Sequence, residues 1–145
     1  MGYYMSLSDQ NFCIKQENFD AALAAIKAMY DDPDAKMSGS TWQQGKETER
    51  FFGWVSTEEV MKAETLDDAL MAWRWPRAEW VDTEDITALE FEGQKFGDDY
   101  ELMKAIAPFV EDDSYLHMVG EDGEHWRWYF LGGKCVEQQG VITWV

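Results

Sequence analysis

The sequence predicts an α+β fold: a mostly antiparallel sheet with helices packed on one face, as a ferredoxin-like or similar two-layer sandwich. Three observations predict it. Residues 114–139 read as three short strands joined by two tight turns. Asp122-Gly123 and Gly132-Gly133 supply the positive φ that two-residue hairpin loops need. Two segments, around 18–30 and 98–109, carry apolar residues at helical spacing. Strands and helices are mixed along the chain, while the strand pairs are mostly antiparallel. With 145 residues, no repeat and no low-complexity linker, the chain reads as a single domain over 1–145.

Residues 3–8 alternate weakly and suit a first strand, with Phe12-Cys13-Ile14 as its continuation or a bulged extension. A helix follows, with Asn18 as N-cap and Phe19, Leu23, Ile26 and Tyr30 on one face. Pro33 ends it, because the residue before a proline disfavours helix. Residues 31–50 are polar and rich in turn formers, so they read as the longest loop, with Trp42 packed down as a lid. Phe51 to Val55 is a short apolar run, either strand or helix lead-in. Ser56 and Thr57 precede a short helix. Thr65 to Asp68 outlines a capping box for the next one, which carries Leu66, Leu70 and Trp73 and stops at Trp75-Pro76. Residues 79–81 and 86–92 form a strand pair, with Leu89 and Phe91 inward and Glu90 and Glu92 outward. Asp98 caps the last helix, whose buried stripe is Leu102, Met103, Ile106 and Phe109; Pro108 ends it. Beyond 139, Gly140 leads into a final strand over 141–145.

The turn sets the register of the first hairpin. With Asp122-Gly123 at its centre, Val119 faces Trp126, His117 faces Trp128 and Tyr115 faces Phe130. These six form one aromatic layer that must be buried, and Leu116, Met118, His125, Arg127 and Tyr129 take the other face. The only two histidines then point to opposite faces, which excludes a shared metal ion. Across the second turn, Cys135 opposes Phe130 and Glu137 opposes Trp128.

Charge bounds the function. Twelve basic and 29 acidic residues give a formal net charge of −17. Such a chain repels phosphate backbones and anionic lipid, which argues against direct nucleic-acid or membrane partners. A basic partner, a metal ion or no partner remains. Residues 79–124 hold 15 acids against Lys95 and Lys104 alone, a net −13. A helix dipole accounts for Asp98 and Asp99 without any function. Four acidic clusters in succession are another matter, since self-repulsion destabilises a compact state. The expected partner-binding surface is therefore Asp82, Glu84, Asp85, Glu90, Glu92, Asp98, Asp99, Glu111, Asp112, Asp113, Glu121 and Asp122.

Chemistry is notable for what is missing. The sequence has no CxxC, HExxH, GxGxxG or Walker-type loop. After Asp32 and Asp34, Lys36 occupies the third ligand position of a would-be calcium loop. No nucleophile–base–acid set assembles, so the expectation is a non-enzyme with no catalytic residue, no metal and no cofactor. The first residues lack the basic and apolar segments of a signal peptide, and no window approaches the ~18 apolar residues of a membrane span. Two reduced thiols, Cys13 and Cys135, fit a cytoplasmic setting.

Residues 93–130 contain a Gly97-Asp98-Asp99 helix start, an AIAPFVE helix exit at 105–111 and a GEDGxxWRWxF hairpin at 120–130. This segment resembles a loosely defined group of small acidic proteins encoded by bacteria and their phages, a group without an assigned activity. The resemblance covers about a quarter of the chain. It implies a fold and a cytoplasmic setting and transfers no site residue. The expected function is a binding protein whose acidic surface blocks a basic surface of another protein. The target would be a nucleic-acid-binding enzyme or a toxin, as for phage-type inhibitors and toxin-immunity proteins. The rival expectation is a small-ligand or enzymatic domain with a pocket lined by Trp42, Trp54, Trp75, Trp80 and the hairpin tryptophans.

Overall fold

The computed structural model describes residues 2–145. Its strands are β1 (Met5–Asn11), β2 (Gly39–Gln43), β3 (Lys46–Phe51), β4 (Ser114–Gly120), β5 (His125–Leu131) and β6 (Lys134–Gln139). Its helices are α1 (Phe19–Ala28), α2 (Thr57–Lys62), α3 (Leu66–Ala72) and α4 (Asp99–Ile106), flanked by short 3-10 turns. The main sheet runs β1-β4-β5-β6, every neighbouring pair antiparallel. The fold is α+β, as expected. Of the two-layer forms anticipated, it is a β4-β5-β6 meander with β1 added beside β4. No described helix is long and apolar enough to cross a membrane.

One face of the sheet carries the core. Met5, Leu116, Met118, Trp126, Trp128, Phe130 and Cys135 are buried there with Leu102, Met103 and Ile106 of α4, Ala22 and Ile26 of α1, and Leu66 and Leu70 of α3. Phe12 packs edge-on to Phe130, with ring centroids 5.8 Å apart. Two helix starts follow their sequence signals: Ser56 Oγ accepts from Glu59 N–H at 3.3 Å, and Thr65 Oγ1 accepts from Asp68 N–H at 3.1 Å. Asn18 sits at the N-cap of α1 without a capping side-chain bond.

The first hairpin is shifted by one residue from its expected register. Met118 opposes Trp126, Leu116 opposes Trp128 and Ser114 opposes Phe130. The loop has three residues, Glu121-Asp122-Gly123, closed by Gly123 N–H to Gly120 C=O at 3.0 Å, with Gly123 at φ +81°. A one-residue slip exchanges the two faces of a strand. Here it buries Leu116 and Met118 with the tryptophans and frees His117 from the core. The expected layer of Tyr115, His117 and Val119 with the tryptophans does not exist. The second turn is as expected: Gly132 and Gly133 lie at φ +62° and +77°, Cys135 opposes Phe130 and Glu137 opposes Trp128.

Three further expectations are corrected. Residues 31–50 are no plain loop, because β2 and β3 form a hairpin around Gln44-Gly45, both at positive φ. Its strands are polar on both faces, so no apolar alternation marked them. Trp42 is 63% exposed there and covers nothing. Residues 79–81 and 86–92 form no ladder. Residues 74–78 instead pair loosely with 88–92, through Ala78 N–H to Ala88 C=O at 3.0 Å and Glu92 N–H to Arg74 C=O at 3.0 Å. Residues 141–145 join no strand, and Val141, Ile142 and Trp144 are exposed.

Candidate functional site

Ile14 organises an acidic end of the molecule. Fully buried, it bridges Ile86 on one side and Val110 on the other. The loop before Ile86 and the loop after Val110 are thereby brought to the same end of the sheet. The first carries Asp82, Glu84 and Asp85; the second carries Glu111, Asp112 and Asp113. Backbone bonds set both loops: Glu111 N–H donates to Cys13 C=O at 2.9 Å, and Asp113 N–H to Phe130 C=O at 2.8 Å. Arg77 Nη1 donates to Thr83 C=O at 2.8 Å, which stiffens the first loop from beneath. Asp85 accepts from Gln16 N–H at 2.8 Å, Asp112 from Gly132 N–H at 2.9 Å, and Asp113 from the Tyr129 hydroxyl. That last bond pushes the Tyr129 phenol above its ordinary pKa. Asp82, Glu84, Glu111, Asp112 and Asp113 are exposed. Two segments some 25 residues apart in sequence thus form one carboxylate face, with Lys15 at its rim.

Cys13 lies within this face and senses its field. Burial raises its thiol pKa first, and the charges of Asp85 and Glu111 raise it further, partly offset by Lys15. A raised thiol pKa means less thiolate at neutral pH. Asp85→Asn with Glu111→Gln should therefore speed alkylation of Cys13 by iodoacetamide about 2–3-fold, read by peptide mass spectrometry. Cys135 is the internal control: burial pushes its thiol up to about 12, so it should stay unreactive in both proteins. Equal Cys13 rates would mean that the two carboxylates lie too far away, or too well hydrated, to matter.

The remaining expected residues are elsewhere. Asp99 is a correction, since it is fully buried and cannot meet a partner. Its carboxylate accepts from Arg74 Nη2 at 2.9 and 3.1 Å, Trp75 Nε1 at 2.8 Å and Gly97 N–H at 2.9 Å. Burial raises its pKa, and Arg74, Trp75 and Gly97 act in the opposite direction. Asp98 is half-buried and accepts from Ser38 N–H and Oγ and from Gly53 N–H, so it ties loops together and does not cap α4 with its side chain. Glu90 is half-buried beside β1, and Glu92 is exposed. Glu121 and Asp122 are exposed at the hairpin tip, the opposite end of β4 from Glu111.

The second feature went unseen in the sequence. The sheet face away from the core carries Asp9, Tyr115, His117, His125, Arg127 and Gln138 around a cavity of about 360 Å³. His117 Nδ1 meets Asp9 Oδ1 at 2.5 Å, and His117 Nε2 meets His125 Nδ1 at 2.9 Å. The two histidines therefore share a face, contrary to expectation, because the one-residue shift moved His117 across the sheet. Among the described residues, no group of three or more His, Cys, Asp or Glu could hold a metal ion. Arg127 stacks between Tyr115 and Tyr129, its Cζ 5.3 and 5.0 Å from the two ring centres, and donates Nε–H to Gln138 at 2.8 Å. The lining holds no serine, threonine or cysteine to act as nucleophile.

The tryptophans do not converge. Trp73, Trp75 and Trp128 are fully buried, whereas Trp42, Trp54, Trp80 and Trp144 are exposed and separate. Trp54 and Trp80 line different cavities, each without a second tryptophan. Comparison with protein-family models, with curated proteins and with solved structures found no match in any of the three.

Proposed function

We propose that this protein binds a basic partner protein through the carboxylate face formed by residues 82–85 and 111–113, and so blocks the surface that the partner uses for nucleic acid or for toxicity. The observation that carries this reading is the convergence of the two acidic loops on Ile14, with five of their six carboxylates exposed. Carboxylates in that density compete with a phosphate backbone for the same arginines and lysines. Opposite charge also speeds encounter, which suits an inhibitor that must outpace a nucleic acid. The reading places the protein in the cytoplasm, where the unpaired Cys13 and Cys135 stay reduced. Phage-type inhibitors and immunity proteins are the class it would join.

The test is kinetic. A partner recovered from the producing host at low salt is presented to three proteins, and association rates are read at two salt concentrations. The first is wild type. The second carries Asn or Gln at Asp82, Glu84, Asp85, Glu111, Asp112 and Asp113. The third carries the same six neutralisations at Asp31, Asp34, Glu49, Glu58, Glu59 and Glu64, all exposed elsewhere. Neutralising the face should slow low-salt association by about tenfold and flatten the salt dependence, with less effect on dissociation. The charge-matched control should behave nearly as wild type. Identical slopes for all three proteins would sink the reading.

A further inference from the structure

At the hairpin-tip end, opposite the carboxylate face, a second cavity of about 350 Å³ is lined by Tyr3, Phe96, Glu124, Trp126, Glu137 and Gln139. Three aromatic side chains and two carboxylates make up five of its six walls, and none of the six is basic. Its parts come from three regions of the chain. Phe96 N–H donates to Tyr3 C=O at 2.6 Å, which clips the loop before α4 onto the start of the chain. Tyr3 leans over Gly120, where a Cβ would strike its ring, and its hydroxyl donates to Glu124. Phe96 meets Trp126 edge-on, with ring centroids 5.9 Å apart. Trp126 is 5% exposed and its indole N–H is out of solvent contact, so it shows the cavity carbon rather than a donor. Glu137 is held by Trp128 Nε1–H at 2.9 Å and Gln139 Nε2–H at 3.4 Å. The nearest loop cation, Lys95, points its ammonium over Tyr4 and Trp54 instead, 5.6 and 5.2 Å from the ring centres.

We propose that this cavity is an aromatic cage for an alkylammonium group. Ring faces attract a cation through their quadrupoles, and they do so best for a weakly hydrated, methylated or alkylated ammonium. Glu124 and Glu137 supply the counter-charge, and Glu121 and Asp122 at the tip add to the local negative field. A phosphate or carboxylate ligand would meet two carboxylates and no cation, so the chemistry excludes anions. The group enters either on a free amine or as a lysine side chain of a protein. The site is independent of the carboxylate face, from which β4 separates it.

The test uses the full chain and defined probes: N-acetyl-lysine amide, its ε-trimethylated form, the neutral tert-butyl isostere of that form, and n-butylammonium. Binding is followed by NMR at the Trp126 indole and the Phe96 ring. The trimethylated form should bind, and the neutral isostere should bind at least ~10-fold more weakly. Glu137→Gln and Glu124→Gln keep an oxygen for Trp128 and Tyr3, so both should fold, and the pair together should weaken binding by about tenfold. Glu64→Gln, exposed between α2 and α3, should leave it unchanged. Tighter binding of the lysine amide than of n-butylammonium assigns the protein source, and equal binding assigns the free amine. The cage is overturned by any of three results: no shift at Trp126 with about 20 mM of the trimethylated probe, an isostere that binds equally, or a Glu64→Gln loss matching that of Glu137→Gln.

Discussion

Replacing Trp128 with alanine should cost about 3–5 kcal/mol and lower the melting temperature by roughly 10 °C, the largest effect expected of any sheet residue. Trp128 is fully buried at the centre of β5, opposite Leu116 on one side and Glu137 on the other. Its ring lies edge-on to Trp75 at 5.9 Å and Trp126 at 6.3 Å, and parallel to Tyr100 at 6.5 Å. Truncation to alanine leaves a void bounded by three aromatic rings, which cannot collapse without moving the sheet relative to α4. Trp128→Phe should cost markedly less. It keeps most of the volume and gives up the indole bond to Glu137, whose exposed carboxylate then returns to water. Denaturant unfolding of both variants checks the order. An alanine variant that melts like wild type would mean that Trp128 is not the keystone of this face.

Asp99→Ala should be comparably severe, at about 3–5 kcal/mol, for an electrostatic reason. Removing the carboxylate strands Arg74, whose side chain is 15% exposed, and leaves Trp75 Nε1–H and Gly97 N–H without their acceptor. Arg74 is itself held in the left-handed region at φ +71° and donates Nη1–H to Lys95 C=O at 2.9 Å. Losing the pair therefore loosens the joint between α3, the 91–97 segment and α4. The double replacement Arg74→Met with Asp99→Leu should recover much of the loss, because two apolar side chains need no partners there. Chemical denaturation of the two singles and the double gives a coupling energy, expected at ~2 kcal/mol or more. If Asp99→Ala alone stays within ~1 kcal/mol of wild type, Arg74 reaches solvent easily and the buried pair is not a joint.

These two residues also mark what was legible in the chain. Trp128 was readable as buried from the alternation of β5, and no partner needed to be known. Asp99 was not. Its neighbours in sequence, Asp98 and Glu101, make it look like one acid among several at a helix start. Only the approach of Arg74 and Trp75, about 25 positions earlier, turns it into a buried anion. The same limit applies to the open sheet face and the aromatic cage. Tyr3, Phe96 and Trp126 share no motif and meet only because β1 lies beside β4 and the 94–96 segment crosses the start of β1.

By itself the sequence determined the α+β class, the Gly132-Gly133 turn with its register, the Thr65 cap, the apolar stripe of α4 and the uneven charge. Each of these rests on side chains within a few positions of one another, where turn geometry and helical or strand period act directly. Tertiary structure decided the rest. Asp122-Gly123 is compatible with a two- or a three-residue loop, and the choice fell to whichever strand face buried Leu116 and Met118 rather than His117. The pairing of β1 with β4, the grouping of the 82–85 and 111–113 carboxylates on Ile14, and the burial of Asp99 depend on contacts between distant segments. A charge or an aromatic ring takes its role from the dielectric and the neighbours around it, and those are supplied by the folded chain.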